Sequence, residues 1–245
     1  MKRQPPEKSS YDKVVFSIEE IEALLAPPEM PKPPFEPAYI EVKNREGETH
    51  TLVIREAKKE EAPLLIEFMK KFVDIDHDFY DIVGARVLAE LLGWYRNRLK
   101  DPYTLVGLID GELVGFANGR LMNKDINISL HTMAFKRGFK IGAIMYYAKA
   151  QYAFDVLGNQ EWWATYESYN GFKRWGIGMA QPSYPWPDYQ HELGGAKIYY
   201  ITKEYWDTVV KNYLLDYIGT DLKRPVPEDL LKKNETLKVP DSPAV

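Results

Sequence analysis

Arg137-Gly138-Phe139-Lys140-Ile141-Gly142-Ala143 is the stretch of this chain best placed to hold a ligand. It follows a strand-like run, Ile126 to Phe135, and leads into a helix-like run, Ile144 to Val156. A glycine-containing turn between a strand and a helix points several backbone N–H groups at one spot, and the helix dipole adds to them. The chemistry that fits is binding of a pyrophosphate by the N–H groups of Phe139 to Ala143. Gly138 and Gly142 allow close backbone approach. Lys140 offers an ammonium that can pair with a phosphate. The competing reading is a loop retained after cofactor binding was lost.

Two residues near this loop could move a proton. His131 lies on the strand before it, and an unperturbed imidazole titrates near neutral pH, which suits deprotonation of an ammonium nucleophile. Alternation puts Ile128, Leu130 and Thr132 on one face and Ser129, His131 and Met133 on the other, and does not say which face meets a cleft. Glu167 follows the next strand, Trp162 to Glu167, at its C-terminal end, the edge where open sheets place ligand clefts. For His131 the alternative is a structural or surface histidine, and for Glu167 a helix cap or salt bridge. The acidic stretch Asp74-Ile75-Asp76-His77-Asp78-Phe79-Tyr80-Asp81 would favour a cationic ligand, or be a solvated loop with helix caps. Its spacing fits neither a calcium loop nor a zinc motif, so no metal is expected. The aromatic stretch Tyr184-Pro185-Trp186-Pro187-Asp188-Tyr189 is too rich in rings for a purely solvated loop. It could cover a pocket, form a subunit contact or pack against the N-terminal arm.

The elements that must position these residues follow from periodicity. Tyr39 to Lys43 and His50 to Arg55 read as strands around a turn at Asn44-Arg45-Glu46-Gly47-Glu48. Leu64, Leu65, Phe68, Met69 and Phe72 share a helical face, and a second helix is expected from about Ile82 to Leu99. Tyr103 to Ile109 and Glu112 to Arg120 are strands around Asp110-Gly111. Lys197 to Thr202 is a further strand, and Glu204 to Tyr217 has helical spacing. The prolines concentrated before residue 38 deny that segment a place in a sheet. Within it, Ser17 to Leu25 has a cap residue and the spacing of a short amphipathic helix. Three regions result: a Pro-rich arm over 1–38, an α/β (α+β) domain over 39–205, and a C-terminal helix and polar tail over 206–245. The order β, α, α, β, β, β, α, β, short α, β embeds one strand–helix–strand unit among antiparallel neighbours. It predicts a mixed sheet with helices on its faces.

This element order, and the loop, resemble the GCN5-related N-acetyltransferase (GNAT) superfamily over roughly residues 50–205. The family's loop reads Arg/Gln-x-x-Gly-x-Gly/Ala; Arg137 and Gly142 match, and Lys140 stands where the middle glycine usually is. The resemblance implies a mostly antiparallel sheet with one splayed strand pair and acyl-CoA pantetheine in the gap. It implies diphosphate binding by residues 137–143 and backbone contacts to pantetheine from Thr132-Met133-Ala134-Phe135. It also implies a cofactor contact from Asn170, in Glu167-Ser168-Tyr169-Asn170-Gly171. The family's helix there carries a tyrosine proposed to protonate the leaving thiolate; Ile177-Gly178-Met179 has none, and Tyr169 or Tyr166 is the candidate replacement. The connection bearing Asp76, Asp78 and Tyr80 would line the acceptor side. The function implied is transfer of an acetyl or other short acyl group from acyl-CoA to an amine, by direct attack in a ternary complex. The alternatives are a catalytically idle domain that binds acyl-CoA or a protein, and a structural homodimer exchanging arm and C-terminal helix.

Composition narrows the classes. A net charge of -4 gives no support for nucleic acid as the main partner. No apolar run approaches the roughly 20 residues that cross a membrane, and Met1 to Asp12 has no apolar signal region. The absence of cysteine excludes disulfides, thiolate metal sites and cysteine nucleophiles, and fits a cytoplasmic setting. Direct acyl transfer needs no covalent nucleophile.

Overall fold

Among the described residues, seven strands lie in chain order in one sheet: β1 (Ala38–Lys43), β2 (Thr49–Glu56), β3 (Pro102–Ile109), β4 (Glu112–Leu121), β5 (Ile126–Ala134), β6 (Glu161–Ala164) and β7 (Tyr199–Thr202). The computed structural model describes Ser17 and residues 32–99, 102–185 and 197–242. The expected helix over Ser17 to Leu25 and the rings Trp186 and Tyr189 lie outside the described residues, Ser17 excepted. Every neighbouring pair is antiparallel except β5 and β6, which are parallel. A parallel pair needs a crossover, and the helix after the glycine loop supplies it. The expected mixed, mostly antiparallel sheet is therefore present.

The turns are those their residues demand. Asp110 and Gly111 both have positive φ, 55° and 82°, as a two-residue hairpin turn of the right-handed twist requires. Helices cover both faces. On one, α1 (Ala62–Lys70) and α2 (Tyr80–Tyr95) bury Leu65, Phe68, Met69, Val87 and Leu91 against Val106, Leu108 and Phe116. On the other, α3 (Ile141–Gln151), with its π-helical continuation Tyr152–Val156, packs against Leu52, Ile54, Tyr103 and Trp162. The single turn α4 (Tyr169–Gly171) runs on through Phe172–Ile177. After β7 come Lys203–Tyr205 and Trp206–Val210, then α5 (Lys211–Ile218).

The segment after β7 belongs to the second core. Trp206 is fully buried and stacks on Phe154 at 5.4 Å, while its indole N–H donates to Asp155 Oδ1 at 3.0 Å. Trp206→Ala is expected to cost about 3–5 kcal/mol, because a large ring leaves a cavity the neighbours cannot fill. Urea unfolding measures this, and a loss under about 1 kcal/mol would place the segment outside the cooperative unit.

The stretch that reads as a polar tail is fastened down. Leu222, Val226 and Leu237 are buried, and α6 (Glu228–Lys233) leads to Asn234. The Asn234 side-chain oxygen accepts the Gly111 N–H at 2.9 Å, and Arg55 Nε donates to its carbonyl at 3.0 Å. Lys238 then exchanges backbone hydrogen bonds with Gly111 and Leu113. The apolar residues of this stretch are scattered among charges and among prolines that forbid one continuous helix, so the sequence hides this docking.

Candidate functional site

The pairing of β5 with β6 stops at Ser129 and Ala164. Strand β5 runs on to Ala134, still paired with β4, while the chain after Ala164 turns into Thr165 to Gly171. The two strands thus part, and a cavity of about 250 Å3 lies in the opening. It reaches both faces of the sheet: Phe72, Tyr80 and Val83 line it from the α1–α2 side, and Gly142, Tyr146, Lys149 and Trp175 from the α3 side. The question of which face of β5 meets the cleft has the answer that both do, because the parting opens the sheet itself.

Helix α3 presents one face to this cavity. Gly142, Tyr146 and Lys149 stand at i, i+4 and i+7, so they form a column about 10 Å long on one side of the helix. Gly142 is at the mouth. A Cβ built there would meet only Ala134 Cβ at 3.8 Å, so the helix end is open to a ligand. The N–H groups of Ile141 and Gly142 have no acceptor within their own helix, while those of Ala143 and Ile144 turn back to Lys140 O.

Lys140 departs from expectation. It occupies the left-handed region with φ 57°, the conformation for which a glycine is the usual choice. Its ammonium points away from the cleft and donates to Tyr217 O at 2.6 Å, so it is not held out towards a phosphate. Arg137 and Phe139 line a separate hollow of about 380 Å3 with Arg45, His50 and Lys136. Ile141 and Ala143 have buried side chains, leaving only their backbone groups to a ligand.

At the other end of the cavity lies a buried charge cluster. The register of β4 and β5 shifts between Ala117 and Gly119. There the His131 N–H donates to the Asn118 side chain at 2.8 Å in place of a ladder carbonyl. The carbonyls of His131 and Asn118 receive Lys149 Nζ at 2.9 and 3.2 Å. The imidazole is 7% exposed; its Nδ1 lies 3.0 Å from Glu90 Oε2 and its Nε2 3.7 Å from Glu167 Oε2. Arg86 Nη1 and Thr165 Oγ1 both donate to Glu167 Oε1. Burial alone would lower the His131 pKa, but Glu90, by charge and hydrogen bond, and then Glu167 outweigh it and hold it above the ordinary histidine value.

Lys149 is shifted the other way. Burial pushes its pKa down to about 7, against the pull of Glu90 and Glu167. Between pH 7 and the ordinary lysine value the unfolded chain binds more protons at this site, so the folded state gains from it as pH rises. The stability of the protein relative to Lys149→Met is therefore expected to be flat below about pH 7 and to climb above it. Paired urea titrations at pH 6 and pH 9 measure this; an equal difference at both would contradict the shift.

On the α3 side, Tyr146 and Tyr166 share Gln181. The Gln181 amide donates to the Tyr146 hydroxyl oxygen at 3.0 Å and its oxygen accepts the Tyr166 hydroxyl at 2.8 Å. Burial pushes both phenols up, so both stay protonated and can act as donors.

Of the residues singled out in sequence, the structure brings His131, Met133, Gly142, Glu167, Asn170, Asp78 and Tyr80 to the cavity. The loop residues Arg137, Gly138, Phe139, Lys140, Ile141 and Ala143 do not line it, and three further residues are elsewhere. Phe135 is buried between α1 and β5, with its ring 5.0 Å from Phe68, and does not line the cleft. Tyr169 is 64% exposed and faces out; Tyr166 and Tyr146 are the tyrosines of this region that line the cavity with Tyr80. Asp76 is exposed away from the cavity wall. Asp78 is itself engaged, accepting the Tyr169 N–H and the Asn170 amide at 2.9 and 2.8 Å. Sequence reasoning missed Glu90, Arg86, Lys149 and Tyr146. Arg86 and Glu90 are i and i+4 on α2, as Gly142 and Tyr146 are on α3, but that spacing by itself marks a shared helix face and not a site. Among the described residues no group of three or more His, Asp or Glu side chains gathers to hold a metal, and no helix is long and apolar enough to cross a membrane.

No family model and no curated protein sequence matches the chain. Solved structures similar to it include an uncharacterised protein of Bacillus halodurans, at 12% identity, 75% of this chain, 99% of that chain and TM-score 0.48. Another is RimJ of Mycobacterium smegmatis in complex with CoA-disulfide, at 12%, 77%, 97% and 0.48. A third is the PaiA N-acetyltransferase of Thermoplasma acidophilum in complex with coenzyme A, at 16%, 62%, 98% and 0.43. The parted strand pair, the crossover helix and the strand order are the features that the GNAT resemblance implies, and this chain has them in its own topology.

Proposed function

We propose that the chain transfers an acetyl or other short acyl group from acyl-CoA to an amine. One observation carries the reading: a single cavity joins the first turn of α3, at Gly142, to a buried imidazole through the gap between β5 and β6. The diphosphate would sit at Ile141 and Gly142, and the pantetheine would lie beside the unpaired edge of β5, near Met133 and Asn170. The acceptor would enter from the Tyr80 and Asp78 side. The neutral acceptor amine attacks the thioester carbon, and the one proton its nitrogen sheds as the C–N bond forms passes to His131 or Glu167. The C–N bond forms, the C–S bond breaks, and the electron pair leaves on sulfur, which takes a proton from Tyr146 or from water. The enzyme's part is positioning and proton handling. Acyl-CoA is a cytoplasmic donor, and that is the setting proposed.

The test is turnover. Acetyl-CoA is incubated with benzylamine, spermidine or the peptide Ala-Gly-Gly, and the released CoA thiol is read with a thiol reagent. The protein adds no background, since it has no cysteine. Amine-dependent thiol release supports the reading. Binding of acetyl-CoA without release with any acceptor would instead support an idle acyl-CoA-binding domain.

A further inference from the structure

We infer that His131 is the base of this reaction and that Glu90, on the helix across from it, is its positioning residue. The inference rests on the acyl-transfer reading and decides between the two candidates it leaves open.

Glu90 is 3% exposed, and its Oε2 accepts from Asn118 Nδ2 at 2.7 Å as well as facing His131 Nδ1 at 3.0 Å. A carboxylate in that place makes Nδ1 the protonated nitrogen, because an acceptor must meet a donor. Nε2 is then the nitrogen with the lone pair. It is buried, has no hydrogen-bond partner and belongs to a residue on the cavity wall. An orphaned buried acceptor is costly unless a ligand completes it. The backbone around the ring is fixed as well, by Asn118 on its N–H and Lys149 on its carbonyl.

Glu167 is the poorer base. One of its oxygens takes both the Arg86 guanidinium and the Thr165 hydroxyl. The lone pairs of that oxygen are already taken by two donors. Its free Oε2 faces Nε2, so once the amine's proton reaches Nε2 the imidazolium has a carboxylate on either side. The charged groups acting on the ring are Glu90 from α2, Glu167 from the segment after β6, itself paired with Arg86 of α2, and Lys149 from α3. The two carboxylates dominate, and their direction is that of a strengthened base.

The experiment has two arms. In the unliganded protein, the His131 ring proton is followed by NMR across pH, assigned by its loss in His131→Asn. The expected midpoint lies above the ordinary histidine value, and Glu90→Gln lowers it by about one unit or more. With acetyl-CoA and the panel amine that turns over, Glu90→Gln lowers kcat by roughly 10^2-fold or more while KM for acetyl-CoA holds. The acid limb of the kcat profile moves to lower pH with the midpoint. Glu90→Asp, which keeps the charge one methylene further back, falls between the two; should Glu90→Gln fail to fold, this variant carries both readouts. An unchanged midpoint overturns the Glu90 pairing. A shifted midpoint with unchanged kcat overturns the base role while leaving acyl transfer standing. If the wild type turns over no amine, the acyl-transfer reading falls and the base role with it.

Discussion

Gly142→Trp is expected to abolish CoA binding, raising Kd beyond about 1 mM, while Gly142→Ala leaves it near the wild-type value. The geometry gives both halves. Gly142 lies at the mouth of the cleft on the first turn of α3, where the unpaired N–H groups are. A methyl group there touches only Ala134 at 3.8 Å, an ordinary contact. An indole fills the space between the helix end and the rim of β5, where the diphosphate would need to reach the backbone. The pair of variants guards against misreading, because both alter a helical glycine but only one is bulky. Isothermal calorimetry with CoA reads the result, and equal affinity for the tryptophan variant would move the cofactor site elsewhere.

His131→Asn should lower kcat by roughly 10^2- to 10^4-fold with little change in the affinity for CoA. The ring is the titratable group whose orphaned nitrogen lies on the cavity wall, and it stands near the point where β5 and β6 separate. Asparagine preserves much of the shape but cannot accept and hold a proton. It also leaves Glu90 buried with one hydrogen-bond partner fewer, which is expected to cost about 1–3 kcal/mol of stability. The pH profile separates the two effects. Below the raised His131 pKa the ring is an imidazolium and cannot act as base, so wild-type kcat falls as pH falls through that value. The variant's residual activity should lose that limb. A variant that keeps the limb would assign it to another group.

The positions of these residues were partly legible in sequence. Asp110-Gly111 announces its hairpin by residue type, and the strand, glycine loop and helix around Gly142 announce themselves by order. His131 could be singled out as an imidazole on the strand before the glycine loop, and Glu167 as a carboxylate at the end of the strand after it. What could not be read is the group that turns His131 into a base. Glu90 sits among Val87 and Leu91 on a helix, where a charged residue every few positions reads as the solvated side. Only the packing of α2 across β4 and β5 shows that it faces inward to Asn118 and His131. Lys149 is hidden in the same way, in a run of alanines and tyrosines that reads as plain core. The shift of register at Asn118 depends on two strands at once, so neither strand's alternation reveals it. Lys140 shows a related effect. Residue type suggested a phosphate ligand, while the backbone required a left-handed residue and α5 offered the carbonyl that its ammonium took.

The most direct test is a calorimetric titration of the purified protein with CoA and with acetyl-CoA. The account predicts one site per chain with micromolar affinity for both, lost in Gly142→Trp and kept in His131→Asn. Absence of binding up to about 1 mM would contradict it, and would leave the parted strands without the ligand they are argued to hold.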